Sequence, residues 1–303
     1  MRVAITGANG LVGRALIAAL DAPGDQALAL VRRSGSAGTS SHEIVWNPAT
    51  ARLDPQALDG VEAVVNLAGE SIADGRWTDA RKKAILDSRV LATDLISRTI
   101  AAMRRPPRVL ISASAIGYYG ARNEAPLDED APPGSGFLAE VCRAWESATQ
   151  PAADAGVRIV NLRIGLVLAA SGGALEKMLP IFKFGMGGIV GSGRQFMSWI
   201  TLTDLLRAIR FAIERDHLRG AVNAVAPHAV TNRDFTMTLA RVLHRPAIIP
   251  APAFAIRAAM GEMGEQLLLS GANVRPKRLL DAGFSFSHPE LDAALRHELG
   301  ANR

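Results

Sequence analysis

The sequence predicts an α/β fold: a doubly wound parallel sheet of the Rossmann type with a smaller, mostly helical C-terminal lobe. Short apolar runs that are typical of buried strands alternate with helical stretches in the first half of the chain. A glycine-rich turn joins the first apolar run to the first helix. Such alternation is typical of βαβ units, whose strands pair in parallel.

The individual elements follow from these runs. The predicted strands are residues 2–6, 27–31, 61–67, 108–112, 157–162 and 221–226. The predicted helices of the same part are residues 11–20, 78–103 and 202–214. The first strand run, Arg-Val-Ala-Ile-Thr, ends at a glycine, and the first helix carries small and apolar residues on one face.

The turn after the first strand has the pattern G-x-x-G-x-x-G. Gly7 allows a tight turn, Gly10 lets the backbone approach a pyrophosphate, and Gly13 lets the helix pack closely on the strand. The helix N-terminus then offers free N–H groups to phosphates. The pattern therefore predicts a dinucleotide site, formed by Gly7, Asn9, Gly10, Leu11, Val12 and Gly13.

The end of the second strand indicates which dinucleotide binds. Enzymes that use NAD place Asp or Glu there to hold the ribose 2′-hydroxyl. This chain has Arg32, Arg33 and Ser34. Two guanidinium groups can pair with a 2′-phosphate, which an acidic residue would repel. We therefore expect NADP(H) as the cofactor; the alternative is that both arginines are only solvated.

The character of the sequence changes after Arg163. Eight glycines fall between residues 165 and 193, and residues 231–303 are mostly helical with interrupting prolines. This layout predicts an NADP-binding Rossmann domain, residues 1–165 plus 200–228. A smaller lobe, residues 166–199 plus 229–303, is expected to hold the substrate.

The composition excludes several classes of protein. No apolar run is long enough to span a membrane, and the first residues do not form a signal peptide, so we expect a cytoplasmic protein. The single cysteine, Cys142, excludes an internal disulfide, and the six histidines lack ligand spacing, so no metal site is expected. The net charge of +5 comes with few aromatic residues, which argues against nucleic-acid binding.

Short motifs occur along the whole chain. They are Leu67-Ala68-Gly69-Glu70, Arg76-Trp77, Ser88-Arg89, Ser112-Ala113-Ser114, Tyr119-Gly120, Trp145-Glu146, Arg163-Ile164-Gly165, Gly172-Gly173, Ser198-Trp199-Ile200, Asn223-Ala224-Val225-Ala226-Pro227 and Gly283-Phe284. Together they resemble the atypical or extended short-chain dehydrogenases/reductases. More closely, they resemble the sugar-nucleotide-epimerase-like family that is often labelled cell-division-inhibitor-like.

The resemblance implies roles for the matched residues. The cofactor-binding residues it implies are Leu67, Ala68, Gly69, Arg89, Ser112, Arg163 and Gly165. Arg89 would reach a phosphate or ribose of the cofactor, and Arg163 would lie near the nicotinamide. Ser114 matches the active-site serine or threonine of the family, whose hydroxyl bonds a substrate carbonyl or alcohol.

The chain departs from the family at the Tyr-x-x-x-Lys pair, whose tyrosine exchanges the proton that accompanies the hydride. The corresponding helix places Leu138 and Cys142 in the two positions. Tyr118 or Tyr119 could donate the proton instead, and Glu140 or the Cys142 thiol are further candidates. The alternative is that these side chains are structural or solvated.

The substrate side is predicted from residues 185–199, a glycine-rich loop that ends in an edge strand. Arg194 and Gln195 could hold a phosphate or a sugar hydroxyl, and Trp199 could stack on a ring; a core position is the alternative for Trp199. Thr203 or Asp204 is expected to cap the next helix.

Two functions remain open from the sequence. The first is an NADP(H)-dependent reductase or epimerase-like enzyme whose small-molecule substrate is a sugar nucleotide or a small carbonyl compound. The second is a non-catalytic NADP(H)-binding sensor or regulatory protein, which keeps the glycine loop without the Tyr–Lys pair.

Overall fold

The structure is a computed structural model that describes residues 1–20, 24–33 and 42–300. Its strands are β1 Arg2–Ile5, β2 Gln26–Val31, β3 His42–Val45, β4 Ala63–Asn66, β5 Val109–Ala115, β6 Arg122–Leu127, β7 Arg158–Ile164, β8 Leu166–Leu168, β9 Phe196–Met197, β10 Trp199–Thr201, β11 Gly220–Ala224, β12 Val230–Thr231 and β13 Ala272–Val274. Its α-helices are α1 Leu11–Leu20, α2 Asp79–Ala101, α3 Phe137–Ser147, α4 Gln150–Asp154, α5 Gly173–Lys183, α6 Leu202–Glu214, α7 Asn232–Val242, α8 Ala253–Met260, α9 Glu262–Gly264, α10 Lys277–Asp281 and α11 Leu291–Glu298. Short 3₁₀ turns cover Pro48–Thr50, Pro55–Leu58 and Ile116–Tyr119, and a π-helical turn covers Glu265–Leu269.

The central sheet of the described chain has seven parallel strands in the order β3-β2-β1-β4-β5-β7-β11. This is the order of doubly wound dinucleotide-binding folds, in which the winding reverses between β1 and β4. The predicted fold class is confirmed. The sequence does not predict the edge strand β3, because His42 and Glu43 leave it only two apolar residues.

Each face of the sheet is covered by its own hydrophobic core. Val3 and Ile5 of β1 point to a core shared with α1 and α6, whereas Ala4 points to a core shared with α2. Successive strand residues face opposite sides of a sheet, so a strand covered on both faces must be apolar throughout. This requirement is why the buried strands can be predicted from apolar runs in the sequence.

A third core lies in the C-terminal part of the chain. It is centred on Trp199 and Phe235, which are both fully buried, and it includes Leu295 of α11. Two-stranded pairings accompany it: β8 with β10, β9 with β12, and β6 with β13. The part is mostly helical, as predicted. The division of the chain into two domains at the boundaries given above stays a prediction.

The start of α6 corrects one expectation. Thr201 is the N-cap, since its side-chain oxygen accepts the N–H of Asp204 at 3.1 Å. Thr203 and Asp204 lie inside the helix. Asp204 is 1% exposed and accepts the backbone N–H groups of Ser287 and His288, which ties the C-terminal segment to the sheet domain.

Candidate functional site

The glycine loop has the geometry of a phosphate-binding turn. Gly7 has a φ of +66°, and a Cβ there would lie 2.6 Å from the backbone oxygen of Leu67. A Cβ at Gly13 would lie 2.2 Å from the Gly7 oxygen, so only glycine fits at either position. The N–H of Arg14 bonds the Gly10 oxygen at 3.0 Å, which leaves the first-turn N–H groups of α1 directed out of the helix end.

A buried polar network fixes the loop that faces this turn. Thr6 donates its hydroxyl to Asn66 at 2.7 Å and accepts the N–H groups of Leu67 and Ala68 at 2.9 and 3.1 Å. Asn66 in turn donates to Thr93 of α2 at 2.8 Å. Thr6, Asn66 and Thr93 are all fully buried, so these bonds fix the ends of β1 and β4 to each other and to α2.

The predicted cofactor residues at this edge are accessible. Asn9 and Gly10 are exposed, and Leu11 and Val12 are half-buried. Arg32 and Arg33 follow β2 and are both exposed, as a 2′-phosphate would require. Ser34 lies outside the described residues.

Arg89 lies beside the loop formed by Leu67, Ala68 and Gly69. Its guanidinium donates to the backbone oxygens of Ile85 and Glu70, each at 3.0 Å, and a Cβ at Gly69 would be 3.2 Å from it. The same group sits 5.1 Å from the centre of the Trp145 ring on α3. Arg89 thus places a cation between the cofactor loop and α3, and burial lowers its pKa.

Ser114, Arg163 and Glu146 form a closed network beneath α3. Ser114 and Arg163 are partners across β5 and β7. The Ser114 hydroxyl donates to Glu146 Oε1 at 2.7 Å, and Arg163 forms a two-pronged ion pair with Glu146 at 2.8 and 2.9 Å. Ser114 and Arg163 are 2% and 3% exposed. The only hydroxyl proton of Ser114 is therefore committed to a carboxylate, and it is not free to donate to a substrate carbonyl in this arrangement.

The two tyrosines have different surroundings. Tyr119 is fully buried, donates to Asn223 at 2.7 Å and accepts from Arg163 at 3.0 Å. Burial raises the pKa of its hydroxyl to about 12. Tyr118 is half-buried and its ring stacks on the Arg163 guanidinium at 3.4 Å. The burial of Tyr119 argues against its predicted role as proton donor, which leaves Tyr118.

The remaining candidates for proton transfer do not reach the cleft as reactive groups. Burial raises the pKa of the Cys142 thiol to about 11, and its sulfur lies 3.6 Å from the Ala115 oxygen. Glu140 is exposed on α3. Leu138 packs with its Cβ 3.2 Å from the position that a Cβ would take at Gly117. The helix that carries these residues, Phe137–Ser147, contains neither tyrosine nor lysine.

Two predicted cofactor residues, Ser112 and Gly165, have roles within the fold itself. Ser112 is fully buried within β5, where Asn66 donates to it at 3.4 Å, so it supports the sheet. At Gly165 a Cβ would lie 2.5 Å from the Ser198 oxygen and 2.7 Å from Val225. A close crossing of two chain segments therefore requires glycine at position 165, and the place of Gly165 near the nicotinamide stays a prediction.

Burial also separates the three predicted substrate residues. Arg194 is exposed and could meet an anion. Gln195 is 4% exposed and donates its amide to the oxygens of Val190 and Leu268 at 3.0 and 2.8 Å, so it joins two loops. Trp199 is fully buried in the C-terminal core, so the prediction that it stacks on a substrate ring is wrong.

Reasoning from the sequence missed the role of Glu146. The Trp145-Glu146 pair is noted only as part of a motif, yet its carboxylate joins Ser114 and Arg163. A buried arginine requires a carboxylate, which is the one signal that could have drawn attention to it. The Thr6–Asn66 bond was missed as well, because both residues end apolar strands and look like simple strand ends.

Two family models match this sequence. Residues 3–224 match the NAD dependent epimerase/dehydratase family. Residues 251–298 match a domain of unknown function, DUF1731. The first match covers the whole central sheet, and the second covers α8 to α11.

Curated relatives match over nearly their full length. The epimerase family protein MT2273 of Mycobacterium tuberculosis is 45% identical over 293 residues, which are 97% of this chain and 96% of the relative. The human epimerase family protein SDR39U1 is 36% identical over 299 residues, 98% of this chain and 99% of the relative.

Solved structures show the same fold. The crystal structure of human SDR39U1 (isoform 2) with NADPH superposes with a TM-score of 0.91 at 36% identity and covers 100% of both chains. A nucleoside-diphosphate sugar epimerase from Corynebacterium glutamicum gives a TM-score of 0.81 at 36% identity, covering 99% of this chain and 58% of the other. MoeE5 in complex with UDP-glucuronic acid and NAD is 20% identical with a TM-score of 0.79, a likeness of fold alone.

No helix in the described ranges of the chain is both long and apolar enough to cross a membrane. The same ranges hold no cluster of three or more His, Cys, Asp or Glu side chains placed to bind a metal ion.

Proposed function

Since the chain belongs to the NAD dependent epimerase/dehydratase family, we propose that it binds NADP(H) and acts as an oxidoreductase or epimerase-like enzyme. Its substrate is a sugar nucleotide or a small carbonyl compound. One observation carries the proposal. A loop that requires glycine at its first and last glycine positions follows β1, and two exposed arginines follow the neighbouring parallel strand β2 at the same edge of the sheet. The human relative that was crystallised with NADPH supports the choice of cofactor.

The residues of this edge fit the cofactor. The cradle at Gly7, Gly10 and Gly13 leaves room for a pyrophosphate at the N-terminus of α1. Arg32 and Arg33 would hold the 2′-phosphate. The bound cofactor would supply or accept a hydride at its nicotinamide.

Arg89 would take over one task of the absent lysine. It stands beside α3, the helix that carries Cys142 in the lysine position, with its guanidinium 5.1 Å from the centre of the Trp145 ring. Its guanidinium is half-buried next to Gly69, within reach of a ribose bound along that loop. A fixed cation at this place would hold the ribose without a lysine on α3.

Tyr118 is the residue best suited to exchange the proton. The Ser114 hydroxyl donates its proton in a hydrogen bond to Glu146. Tyr119 is buried, and its hydroxyl already donates one hydrogen bond and accepts another. The ring of Tyr118 is held face to face with Arg163, which is itself fixed by Glu146. A general acid must be held in place, and the stacked Arg163 cation fixes the position of the Tyr118 ring.

The cofactor assignment is tested by replacing both Arg32 and Arg33 with alanine. We expect the affinity for NADPH, measured by isothermal titration, to fall at least about tenfold more than that for NADH, since charge-assisted hydrogen bonds contribute roughly 1.5–3 kcal/mol each. The matched control is Arg104→Ala with Arg105→Ala, an adjacent and exposed pair at the other end of the sheet. Equal losses for both cofactors would refute the 2′-phosphate assignment.

The closed state of the Ser114 network favours a second candidate, a non-catalytic NADP(H)-binding sensor or regulator. Purified protein with NADPH is therefore screened against UDP- and dTDP-sugars and against aldehydes and ketones for cofactor oxidation or epimer formation. The enzyme proposal requires turnover that Tyr118→Phe abolishes. Tight NADPH binding without any turnover supports the sensor.

A further inference from the structure

We propose that this site takes a small, apolar carbonyl compound and excludes sugar nucleotides, because residues Glu265–Leu269 cross the mouth of the cleft. These residues join the start of α3 to the loop of residues 185–195, and we take the space between those two elements, beside the turn that carries Tyr118, as the cleft. We call Glu265–Leu269 the crossing segment; it is the π-helical turn after α9. The inference rests on the proposed NADP(H)-dependent function and names the substrate class of that site.

One end of the crossing segment is fixed to α3. The backbone N–H of Leu138 donates to Gln266 Oε1 at 3.3 Å, and the Gln266 amide lies 3.6 Å from the Cβ position of Gly136. Leu138 in turn packs against Gly117, which immediately precedes Tyr118. The segment is therefore attached next to the residue that we propose as proton donor.

The other end is fixed to the loop opposite. The carbonyl oxygen of Leu268 accepts the Gln195 amide at 2.8 Å, and that amide also donates to Val190 at 3.0 Å. Leu269 Cδ2 lies 2.8 Å from the Cβ position of Gly191. Because Gln195 is almost fully buried, this attachment is part of the packed structure and closes the cleft from the far side.

Three basic residues beside the crossing segment are already paired, whereas Arg194 on the loop opposite is exposed and is the cation that a diphosphate would have to use. Arg257 bonds Glu265 at 2.6 Å, Lys82 forms an ion pair with Glu262, and Arg76 donates to the carbonyl of Ala259 at 2.9 Å. A nucleoside diphosphate carries at least two negative charges and needs cations that are free to meet it. These three would each have to give up a partner first.

The crossing segment itself is apolar at this point. Its last three residues are leucines, of which Leu267 and Leu269 are half-buried and Leu268 is exposed. On α3, Leu138 stands where relatives of the family place a tyrosine. Tyr118 supplies the hydroxyl that a reacting oxygen needs. A carbonyl compound that fits would be reduced to its alcohol with one NADPH and one proton: the carbon gains the hydride and the oxygen gains the proton. Apolar walls with one polar group are typical of sites for small, hydrophobic ligands.

Two kinds of probe test the proposal on the intact protein, with and without NADPH. UDP-glucose represents the sugar nucleotides, and cyclohexanone and benzaldehyde represent the small carbonyl compounds. Binding is followed by calorimetry and by ¹⁹F NMR of protein labelled with 3-fluorotyrosine. The chain has only two tyrosines, so Tyr118→Phe assigns both signals.

We expect the small carbonyl compounds to shift the Tyr118 signal in the NADPH-loaded protein. We expect UDP-glucose to bind at least 100-fold more weakly than NADPH and to leave that signal unchanged. Binding of UDP-glucose as tight as that of NADPH, or a Tyr118 signal that moves with UDP-glucose and not with the carbonyl compounds, overturns the proposal. Loss of NADPH binding is measured separately and would overturn the proposed function instead.

A variant of the crossing segment gives a second, independent measurement. Gln266→Ala removes the attachment to α3 from a half-buried position and is expected to strengthen UDP-glucose binding at least tenfold with NADPH affinity unchanged. The control Gln150→Ala removes an exposed glutamine that bonds Asp154 within α4. No gain in Gln266→Ala, or UDP-glucose binding in the unmodified protein that Arg194→Ala abolishes, contradicts exclusion by the segment.

Discussion

The glycine loop and the Ser114–Glu146–Arg163 network lie on the same parallel sheet, but they are built in opposite ways. The loop is contiguous in sequence and depends on the absence of side chains at Gly7 and Gly13. The network joins β5, α3 and β7 through side chains that are far apart in the sequence. The first leaves N–H groups open for an anion, whereas the second satisfies its charges internally.

The glycine loop is therefore suited to bind a ligand, whereas the network supports the fold. An open helix end with a glycine cradle can exchange its bound water for the oxygens of an anionic ligand. The pair of Arg163 and Glu146 gains nothing from a ligand, since each already has its partner. The network therefore acts as a rigid base for Tyr118, and its loss should reduce stability before it reduces cofactor affinity.

The largest expected effect comes from breaking this network with Glu146→Ala. Removal of one member of a buried ion pair leaves the other charge unpaired, at a cost of about 3–5 kcal/mol. Arg163 is 3% exposed and would keep its charge without the carboxylate. Urea denaturation monitored by circular dichroism measures the free energy of unfolding.

The control for this variant is Glu214→Ala, which breaks the exposed pair of Arg210 and Glu214 on α6. An exposed pair contributes about 1 kcal/mol or less. If both variants lose the same stability, the contrast between the closed network and an ordinary surface pair is wrong.

The next effect concerns the glycine loop. Gly13→Ala would place a Cβ 2.2 Å from a backbone oxygen, which cannot move as a side chain can, and overpacking of this kind costs about 3 kcal/mol. Gly10→Ala meets only the Gly7 oxygen at 3.2 Å and should fold nearly normally. We expect both variants to weaken NADPH binding at least tenfold, with Gly13→Ala alone losing stability in thermal denaturation.

Retention of full NADPH affinity in Gly10→Ala would show that the pyrophosphate does not approach the loop there. The two variants therefore distinguish a glycine that is needed for packing of α1 on β1 from a glycine that is needed for binding of NADPH.

The features that the sequence predicted are those with a local cause. Strands covered on both faces must be apolar, which reveals β1, β2, β4, β5, β7 and β11. The tight turn and close packing at Gly7 and Gly13 require glycine, which reveals the loop. The role of Arg32 and Arg33 toward a 2′-phosphate is predicted from their charge alone.

The features that it could not predict depend on contacts between distant elements. The sequence does not tell whether Trp199 faces a ligand or the core, because both environments favour a large aromatic side chain. Gln195 suits a sugar hydroxyl as well as it suits the carbonyls of Val190 and Leu268. Ser114 matches a family position, but only the fold brings Glu146 to its hydroxyl.

The smallest expected effect comes from the titration of the Tyr119 hydroxyl, and it appears only at alkaline pH. Burial raises the pKa of this hydroxyl to about 12 in the folded protein, from its ordinary value of 10.0. A raised pKa means that the folded state keeps the proton after the unfolded state has lost it. The contribution to stability is therefore complete below pH 10, falls as the pH rises toward 12, and amounts to at most about 2–3 kcal/mol.

Comparison of Tyr119→Phe with Tyr118→Phe, both in a Cys142→Ala background, isolates this term. The background removes the thiol, whose pKa of about 11 gives a loss of stability in an overlapping range. Tyr118→Phe should keep the decline in unfolding free energy between about pH 10 and pH 12, and Tyr119→Phe should flatten it. Tyr119→Phe should also be less stable at pH 7, because Asn223 and Arg163 each lose a hydrogen bond. An equal decline in both variants would show that the Tyr119 hydroxyl is not the group whose pKa burial raises. The contrast between Tyr119 in the supporting network and Tyr118 beside the cleft would then be wrong.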